Sequence, residues 1–493
     1  MYPISISSKT APAMLRVCKD AACFKPKRLG DLKTMNILRS SIPVPVAVVM
    51  TLVLAGCGGG SSDSGGGAPA ATNYTIGGTV IGLNPNSDVP IEYGGTDSLD
   101  VKSDGSFTLP TPVPNGTSYT VGVGASPAGQ SCGVQNGAGV ISSASVTNIY
   151  VFCTDNVTAA TLNGTYELAS LNINNDTDQL FSGVPFNGAG TQGASTVMSD
   201  QAGTTFATTT DSGGPYTVTT DLALPVLTTG ANNQGAIAGA DGDEFYWLAN
   251  AVNANGAGPA LVFGVKPLQN ATTASMAGSW TTVGLTQAAT PFVEEESLTI
   301  GADGSFSGTL SSLDVTGAAL AAQAISGPAG SFSVSNNIVS SGGNSGYISA
   351  NGEFAMLTFV TQQSGGATAN PPGLIVAVKQ GTGVTLATLS GIYSIGTLGF
   401  NTATTGEGQT ITLFFDGAGN FNGTYAQNVN GVSTNSGSAA GTYTLTSSGV
   451  LTLTDSTGTV YTGAVSADGN LLVAAALTGG GTQAPEMFAG FRQ

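Results

Sequence analysis

Few residues of this sequence have side chains that could do chemistry. Its 493 residues include no histidine, which excludes Ser-His-Asp triads, Cys-His pairs and most zinc sites. The one acidic cluster is Glu294-Glu295-Glu296, and paired carboxylates could hydrolyse a glycosidic bond. In a strand, Glu294 and Glu296 would face one side and Glu295 the other, and a solvated face or a sheet edge is the favoured interpretation.

The remaining candidate motifs for catalysis or metal binding are weaker. A Ser-Lys pair would need a neutral lysine, whereas Lys266 and Lys379 occupy positions that look structural. Asp176-Thr-Asp178 and Asp241-Gly-Asp243 could bind calcium, but neither fills a twelve-residue EF-hand loop. No glycine-rich phosphate motif follows a strand and opens a helix. We therefore expect no enzyme, no cofactor and no metal site.

Charge is distributed unevenly along the chain. Eight of the 12 basic residues and two of the 29 acidic residues precede Cys57. The chain after Cys57 therefore carries 4 basic and 27 acidic residues, a net charge of −23. Such a surface repels nucleic acid and anionic lipid head groups, so no nucleic-acid partner is expected.

Residues 35–57 have the layout of an export signal. A short positive segment after Met35 precedes an apolar run over 42–54, which is too short to span a bilayer of about 30 Å as a helix. Leu54-Ala55-Gly56-Cys57 resembles the bacterial lipobox. The resemblance implies cleavage before Cys57, acylation of this cysteine and attachment to a membrane through lipid. Gly58, and not an aspartate, follows Cys57. If the organism is Gram-negative, this resembles the lipoproteins that are sorted to the outer membrane, so we expect a lipid-anchored outer-membrane protein that faces the periplasm or the cell surface.

The cysteine count agrees with export. Residues 1–34 fit no signal design and are predicted to be a non-native upstream extension, the alternative being a cytoplasmic N-terminal segment. With Cys57 acylated, Cys132 and Cys153 remain as an even pair in an oxidising compartment. A bridge would close about 22 residues and stabilise the fold by roughly 3 kcal/mol. A metal site is the rival interpretation, but two cysteines without histidine make a poor one.

The chain after the cleavage site is predicted to be all β. Residues 58–72 are rich in Gly and Ser and form a flexible tether. Residues 73–156 alternate short apolar runs with turns such as Asp104-Gly105, which predicts a small β-sandwich. Ile76-Gly-Gly-Thr-Val80, Asp104-Gly-Ser-Phe107 and the segments around the two cysteines resemble immunoglobulin-like or carboxypeptidase-regulatory-like modules. In such modules the two cysteines pair, and the module implies a spacer.

Three repeats follow, predicted over 160–270, 274–383 and 387–493. They open with a glycine two residues before Tyr166, Trp280 and Tyr393, and these aromatic residues lie 114 and 113 positions apart. They close with basic residues spaced 113 positions apart, namely Lys266, Lys379 and Arg492. In the third repeat eight strands are predicted, at 391–398, 408–415, 420–428, 440–446, 449–454, 459–466, 470–477 and 486–492. Eight sequential strands favour a closed up-and-down barrel, although one shared solenoid or propeller is an alternative.

The paired ends of each repeat indicate how a barrel would close. First and last strands are neighbours in a closed barrel, so the cation could lie on the aromatic ring, a contact worth about 0.5–2 kcal/mol. Lipocalins and related calycins resemble this arrangement, since a Gly-x-Trp opens their barrel and an Arg or Lys of the last strand covers the Trp. The departures are Tyr for Trp in two repeats and Lys for Arg in two. Gene duplication alone would explain the spacing, but not why the repeat region keeps basic residues at these positions and at no others.

The favoured function is that of a surface-displayed lipoprotein without catalytic activity. Its role would be structural, adhesive or one of interaction with a protein or glycan, and its membrane contact would be the lipid on Cys57. The alternative is a carrier of a small molecule in a barrel lumen. Large residues would fill the lumen and argue against carriage if they pointed inward, whereas inward Ala, Ser and Thr would leave a cavity; the large candidates are Phe245, Trp247, Phe354, Phe414 and Phe415.

Overall fold

The computed structural model describes 12 stretches of the chain. They are residues 72–94, 97–173, 176–201, 205–221, 224–229, 233–237, 242–249, 259–360, 371–402, 405–429, 432–478 and 485–493. Regular structure in these stretches consists of 37 strands and three 3-10 turns. No helix among these residues is long and apolar enough to cross a membrane. The all-β prediction is confirmed, as expected where β-branched runs alternate with glycine-rich turns.

The N-terminal domain is a sandwich of two four-stranded sheets. Its strands are β1 (Asn73–Tyr74), β2 (Ile76–Ile81), β3 (Val89–Tyr93), β4 (Asp97–Val101), β5 (Gly105–Thr108), β6 (Val113–Pro114), β7 (Ser118–Val123), β8 (Gln130–Gln135), β9 (Ala138–Val140) and β10 (Val146–Asp155). One sheet has the order β5-β2-β10-β8 and the other β4-β3-β7-β9. Val80 and Val151 of the first sheet meet Ile91 and Val121 of the second in one apolar core.

The first barrel unit follows a 3-10 turn at Ala159–Thr161. Its strands are β11 (Asn163–Asn172), β12 (Thr177–Asn187), β13 (Thr191–Gln192), β14 (Ser195–Gln201), β15 (Thr205–Asp211), β16 (Gly214–Asp221), β17 (Leu224–Thr229), β18 (Asn233–Ile237), β19 (Glu244–Ala249) and β20 (Ala260–Val265). Eight strands form a ring in the order β11-β20-β19-β18-β17-β16-β13-β12, which closes because β12 pairs with β11. Strands β14 and β15 extend from β12 outside this ring.

The middle unit is a half-barrel. After a 3-10 turn at Thr273–Met276 its strands are β21 (Gly278–Thr286), β22 (Phe292–Ile300), β23 (Phe306–Asp314), β24 (Ala319–Gly327), β25 (Phe332–Ser335), β26 (Ile338–Ser341), β27 (Asn344–Ile348), β28 (Phe354–Thr358) and β29 (Gly373–Lys379). These nine strands form one sheet, with β24 and β25 at its two edges. The unit thus departs from the predicted closed ring, because β24 and β25 do not pair in the residues described.

The third barrel is closed and matches the eight predicted strands. After a 3-10 turn at Leu386–Thr388 its strands are β30 (Ser390–Thr402), β31 (Thr405–Asp416), β32 (Asn420–Val429), β33 (Val432–Leu445), β34 (Val450–Asp455), β35 (Val460–Val465), β36 (Leu471–Thr478) and β37 (Glu486–Arg492). Each strand is antiparallel to the next, and β37 returns to pair with β30.

The three barrel units share one hydrophobic core that lies outside their lumens. It joins Phe263 of the first unit, Phe354 of the half-barrel and Phe491 of the third barrel. The ring centroids are 5.9 Å apart for Phe263–Phe354, 5.7 Å for Phe354–Phe491 and 6.3 Å for Phe263–Phe491. Since aromatic contacts of this geometry add to the gain from burial, the units form one packed body and not a string of separate barrels.

The sandwich packs against the third barrel, although it precedes the first unit in sequence. The rings of Tyr150 and Phe414 are 4.3 Å apart, and Ile81 and Ile392 are buried beside them. The side-chain amide of Gln135 also donates a hydrogen bond to Asn422. These side-chain contacts hold the sandwich against the third barrel, whereas a domain that acts only as a spacer would need no such contacts.

A buried aspartate connects the first unit to the half-barrel. Asp178, at the start of β12, accepts hydrogen bonds from the backbone N–H groups of Phe359 at 2.7 Å and Gly373 at 3.4 Å. Burial raises the pKa of Asp178 to about 7, the two backbone N–H groups oppose the rise, and the charge of Asp200 adds to it. The carboxyl group therefore binds its proton more tightly in the folded protein than in the unfolded chain.

Asp178 predicts that the protein becomes less stable as the pH rises from about 4 to 7. Below its ordinary pKa of 3.8 the carboxyl is protonated in both states, and between 3.8 and about 7 only the unfolded chain ionises. The stabilisation is full at low pH and falls by up to about 1.4 kcal/mol per pH unit until it is lost above 7. In denaturant titrations Asp178→Asn should give a shallower decline, while Asp88→Asn on the surface should keep the wild-type slope. An unchanged slope in Asp178→Asn would contradict this assignment.

Candidate functional site

Of the three cysteines singled out from the sequence, two form a disulfide in the structure. Cys57, the predicted lipidation site, lies outside the described residues. Cys132 on β8 and Cys153 on β10 are direct partners in the antiparallel pairing of these strands and form a disulfide with an S–S distance of 2.01 Å. The bridge joins the edge strand β8 to the centre of its sheet, so the cysteines stabilise the sandwich and leave no thiol for chemistry in it.

Each predicted cation lies next to its predicted aromatic partner. Lys266 Nζ is 5.5 Å from the ring centroid of Tyr166, and Lys379 Nζ is 5.8 Å from that of Trp280. In the third barrel Arg492 is the direct cross-strand partner of Tyr393. Each of these contacts lies where the first and last strands of a unit pair with each other. That they hold the sheets in this arrangement remains a prediction.

The glycine that precedes each aromatic residue makes room for the cation. Gly164, Gly278 and Gly391 have φ values of +124°, +134° and +105°, a region that side chains with a Cβ rarely adopt. A Cβ at Gly278 would come within 2.8 Å of Lys379 Cε, and one at Gly391 within 3.3 Å of Arg492 Nε. The Gly-x-aromatic pattern therefore records both the backbone conformation and the close approach of the cation.

The opening aromatic residues also donate hydrogen bonds to backbone carbonyl groups at the end of each unit's interior. Tyr166 donates to the carbonyl of Gly242 at 2.7 Å, Tyr393 donates to that of Gly469, and Trp280 Nε1 donates to that of Met276 at 2.8 Å. Met276 ends the 3-10 turn that precedes the half-barrel, and similar turns precede the other units. These turns were not predicted from the sequence. Their signal is a Thr that caps each one, at positions 158, 272 and 385.

The surroundings of the three cations differ. Lys266 forms an ion pair of 3.0 Å with Asp243, on the strand-to-strand turn beside it. Burial raises the pKa of Glu353, the charge of Asp468 adds to the rise, and Lys379 opposes it. Lys379 is therefore close enough to Glu353 to act on its charge.

Replacing Lys379 with methionine tests the cation–aromatic contact. Methionine keeps an apolar stem over Trp280 but removes the charge, so Lys379→Met should lower the free energy of unfolding by about 0.5–2 kcal/mol. Lys102→Met in the sandwich, where Lys102 is exposed, is the matched control and should change stability little. Denaturant titrations followed by tryptophan fluorescence measure both. If the two variants were equally stable, the contact would be incidental.

Large side chains fill the lumens of the two closed barrels. Phe245 and Trp247 stack inside the first barrel with centroids 5.5 Å apart, and Phe415 lies inside the third. Phe354 and Phe414 point away from the lumens, into the shared core and toward the sandwich. The cavity that remains inside the third barrel measures about 30 Å³. Since ligand pockets measure about 300–1,000 Å³, the space left among the described residues of this lumen is too small for an organic ligand.

The upper end of the third lumen, opposite Arg492, holds a group of buried polar side chains. We call it the acidic lumen cluster; its members are Thr397, Glu407, Gln409, Gln427, Asp455, Tyr461 and Glu486. Each is at most 6 % exposed. Gln427 Nε2 donates to Glu407 Oε2 at 2.8 Å, and Thr397, Asp455, Tyr461 and Glu486 border the cavity.

The electrostatics of the acidic lumen cluster are unfavourable as they stand. Burial raises the pKa of Glu486 well above its ordinary value, the charge of Glu407 adds most to this rise, Thr397 opposes it, and Asp455 adds a little more. Burial and the same three carboxylates raise the pKa of Tyr461. Glu486 Oε1, Asp455 Oδ2 and the Tyr461 hydroxyl have no hydrogen-bond partner among the described residues. Sequence reasoning missed this cluster because its acids lie on different strands.

The acidic run 294–296 is half-buried rather than solvated. Burial raises the pKa of Glu294 to about 7, and the charge of Glu296 adds to the rise. Glu296 accepts a hydrogen bond from Thr282 of the same unit, whereas Glu295 accepts one from Thr462 of the third barrel. The run thus contributes to the contact between two units. In the part of the chain that the structure describes, no group of three or more acidic or cysteine side chains stands in metal-holding geometry.

Comparisons with known proteins give little further information. No protein-family model matches the chain, and no curated protein matches it. Among solved structures it is similar to two mutants of the vaccine antigen transferrin binding protein B from Haemophilus parasuis Hp5. The double mutant has 10% identity, a TM-score of 0.21 and coverage of 82% of this chain and 83% of that one. The single mutant has 10% identity, a TM-score of 0.22 and 85% coverage of both chains. At these scores the likeness carries no argument.

Proposed function

We propose that the protein is an exported lipoprotein, held on a membrane through acylated Cys57, that acts by binding another macromolecule and has no catalytic role. The lipobox Leu54–Cys57 and the tether 58–72 support the anchor. One structural observation supports the rest most strongly. The described residues of the closed barrels fill their interiors with side chains and share a core with the half-barrel, which supports binding through the outer surface rather than in a lumen.

The outer surface offers a place for such a partner on the third barrel. An open groove of about 420 Å³ runs over the outer face of β31–β33. Its lining includes the hydroxyl groups of Thr410, Thr412, Thr424 and Ser436 and carries no charge. Hydroxyl groups both donate and accept hydrogen bonds, which suits a glycan or an uncharged protein segment. The acidic character of the remaining chain disfavours nucleic acid and anionic lipid.

The lipid anchor predicts a clear effect of one substitution. In cells that export the protein, Cys57→Ser should abolish incorporation of labelled palmitate and move the protein from the membrane fraction to the soluble fraction, because the acyl chains supply the anchor. Cys132→Ser is the control that keeps the lipobox and should remain acylated. Membrane attachment of Cys57→Ser at the wild-type level would disprove the anchor.

Native mass spectrometry distinguishes the proposed binding protein from a carrier of a small molecule, because a carrier would retain its ligand and show a larger mass. The protein extracted from its membrane should, in native mass spectrometry, show the mass of the polypeptide plus its acyl groups and inorganic ions. A binding protein without a ligand-sized lumen retains no organic molecule. A stoichiometric organic adduct that is lost on denaturation would favour the carrier function instead.

A further inference from the structure

The half-barrel has a long open edge at β24. This strand, Ala319–Gly327, pairs with β23 on one side and with no strand on its other side among the described residues. Its sequence, Ala-Leu-Ala-Ala-Gln-Ala-Ile-Ser-Gly, has neither charge nor proline, and none of its described side chains is buried. Natural edge strands are usually short or carry charges, because an open row of backbone N–H and C=O groups accepts further strands. The edge of β24 has no such protection.

The turn after β24 keeps this edge open. It leads directly into β25, whose start is held elsewhere: Phe332 N–H donates to the carbonyl of Gly304 at 2.9 Å, and Gly330 N–H donates to that of Asp303 at 2.8 Å. Both acceptors lie in the turn between β22 and β23 and not on β24. A gap therefore separates β24 from β25. Since β25 has only four residues, β24 is the edge that can template a strand in this gap.

The inner face beside this edge is apolar and acidic. Leu320, which is 45% exposed, lies in one cross-strand row with Glu294. Ile325 packs against the core of the half-barrel, which contains Leu298. Because side chains alternate along β22, Glu294 and Glu296 lie on the same face as Leu298. Two carboxyl groups and two aliphatic side chains therefore line the interior next to the gap.

The charge of this interior favours a basic occupant. Glu294 and Glu296 form no ion pair among the described residues. Burial raises the pKa of Glu294, and the charge of Glu296 adds to the rise. A positive charge beside them would offset this repulsion, whereas an acidic partner would increase it. The net charge of −23 after Cys57 acts in the same direction.

We propose that β24 binds an extended segment of a partner protein, which pairs with it as an additional strand and turns apolar and basic side chains toward Leu320, Glu294 and Glu296. The backbone of β24 supplies the hydrogen bonds, and the inner face selects alternate side chains of the segment. The proposal rests on the proposed binding function and deepens it, since it names the partner as a polypeptide. A second copy of the chain fits less well, because two copies of net charge −23 repel each other.

The test uses a labelled nine-residue peptide, Thr-Val-Thr-Lys-Thr-Val-Thr-Val-Thr, whose binding to the full chain is followed by fluorescence anisotropy. Its length matches β24, and as a strand it turns its valines and its lysine to one face. N-methylation of alternate residues removes the amide donors along one edge of the peptide. Methylation of the edge that meets β24 should weaken binding by at least about tenfold, whereas methylation of the other edge should change it little.

Matched variants locate the binding site. Leu320→Lys removes an apolar contact and repels the lysine of the peptide, so binding should weaken by at least about tenfold. Val140→Lys adds the same charge at another exposed apolar residue, on β9 of the sandwich, and should keep the wild-type affinity. A peptide with glutamate in place of lysine should bind more weakly to the wild-type chain. The double variant Glu294→Gln, Glu296→Gln should lose this preference.

Three results would overturn the proposal: no saturable binding to the wild-type chain, equal binding of the two methylated peptides, or full binding to Leu320→Lys. A wild-type dimer in sedimentation equilibrium that Leu320→Lys dissociates would assign the edge to a second copy instead. Each of these results would leave the acylation of Cys57 and the native mass unchanged, so the proposed function stands or fails by its own tests.

Discussion

The structure depends on strands that are apolar on both faces. In β36 Leu472 and Ala474 enter the third lumen, while Leu471, Val473 and Ala475 enter the shared core. A strand whose two faces are both apolar is stable only when a second layer covers the outer face. No barrel unit could therefore expose this side to water without leaving a large apolar patch. The three units cover one another, and the single body follows from this need.

The same constraint explains where the charges lie. Lumens and shared core take up most apolar side chains, so ionisable groups are left to the turns, the outer surface and a few enclosed positions. Each unit places its cation at the end of its last strand, beside the opening glycine, and in the first two units the ammonium group lies over an aromatic ring. Carboxylates that are enclosed without a cation, such as Asp178 and Glu486, keep raised pKa values.

Local sequence signals predict much of this arrangement, whereas the packing between units depends on residues that are far apart in sequence. The strands of the third barrel and the disulfide follow from turn residues and cysteine count, because these are local signals. The shared core was missed although its signal was present. Residues 471–477 and 487–491 form continuous apolar runs rather than alternating ones, which is typical of strands buried on both faces. The packing of the sandwich against the third barrel had no local sequence signal, since the contacting residues Tyr150 and Phe414 are far apart in sequence.

Burial of the acidic lumen cluster carries a desolvation cost in the free energy of folding. A lumen filled only with apolar side chains, as around Phe415, gains stability without any desolvated charge. Glu407, Asp455 and Glu486 instead bring three carboxyl groups into that environment, where an uncompensated charge would cost several kcal/mol. Burial and the charge of Glu407 raise the pKa of Glu486 and so favour its protonated form, in which the carboxyl group carries no net charge and can donate a hydrogen bond. The end of the third lumen therefore tolerates these carboxyl groups beside the apolar core around Phe415 because protonation removes the charge that burial disfavours.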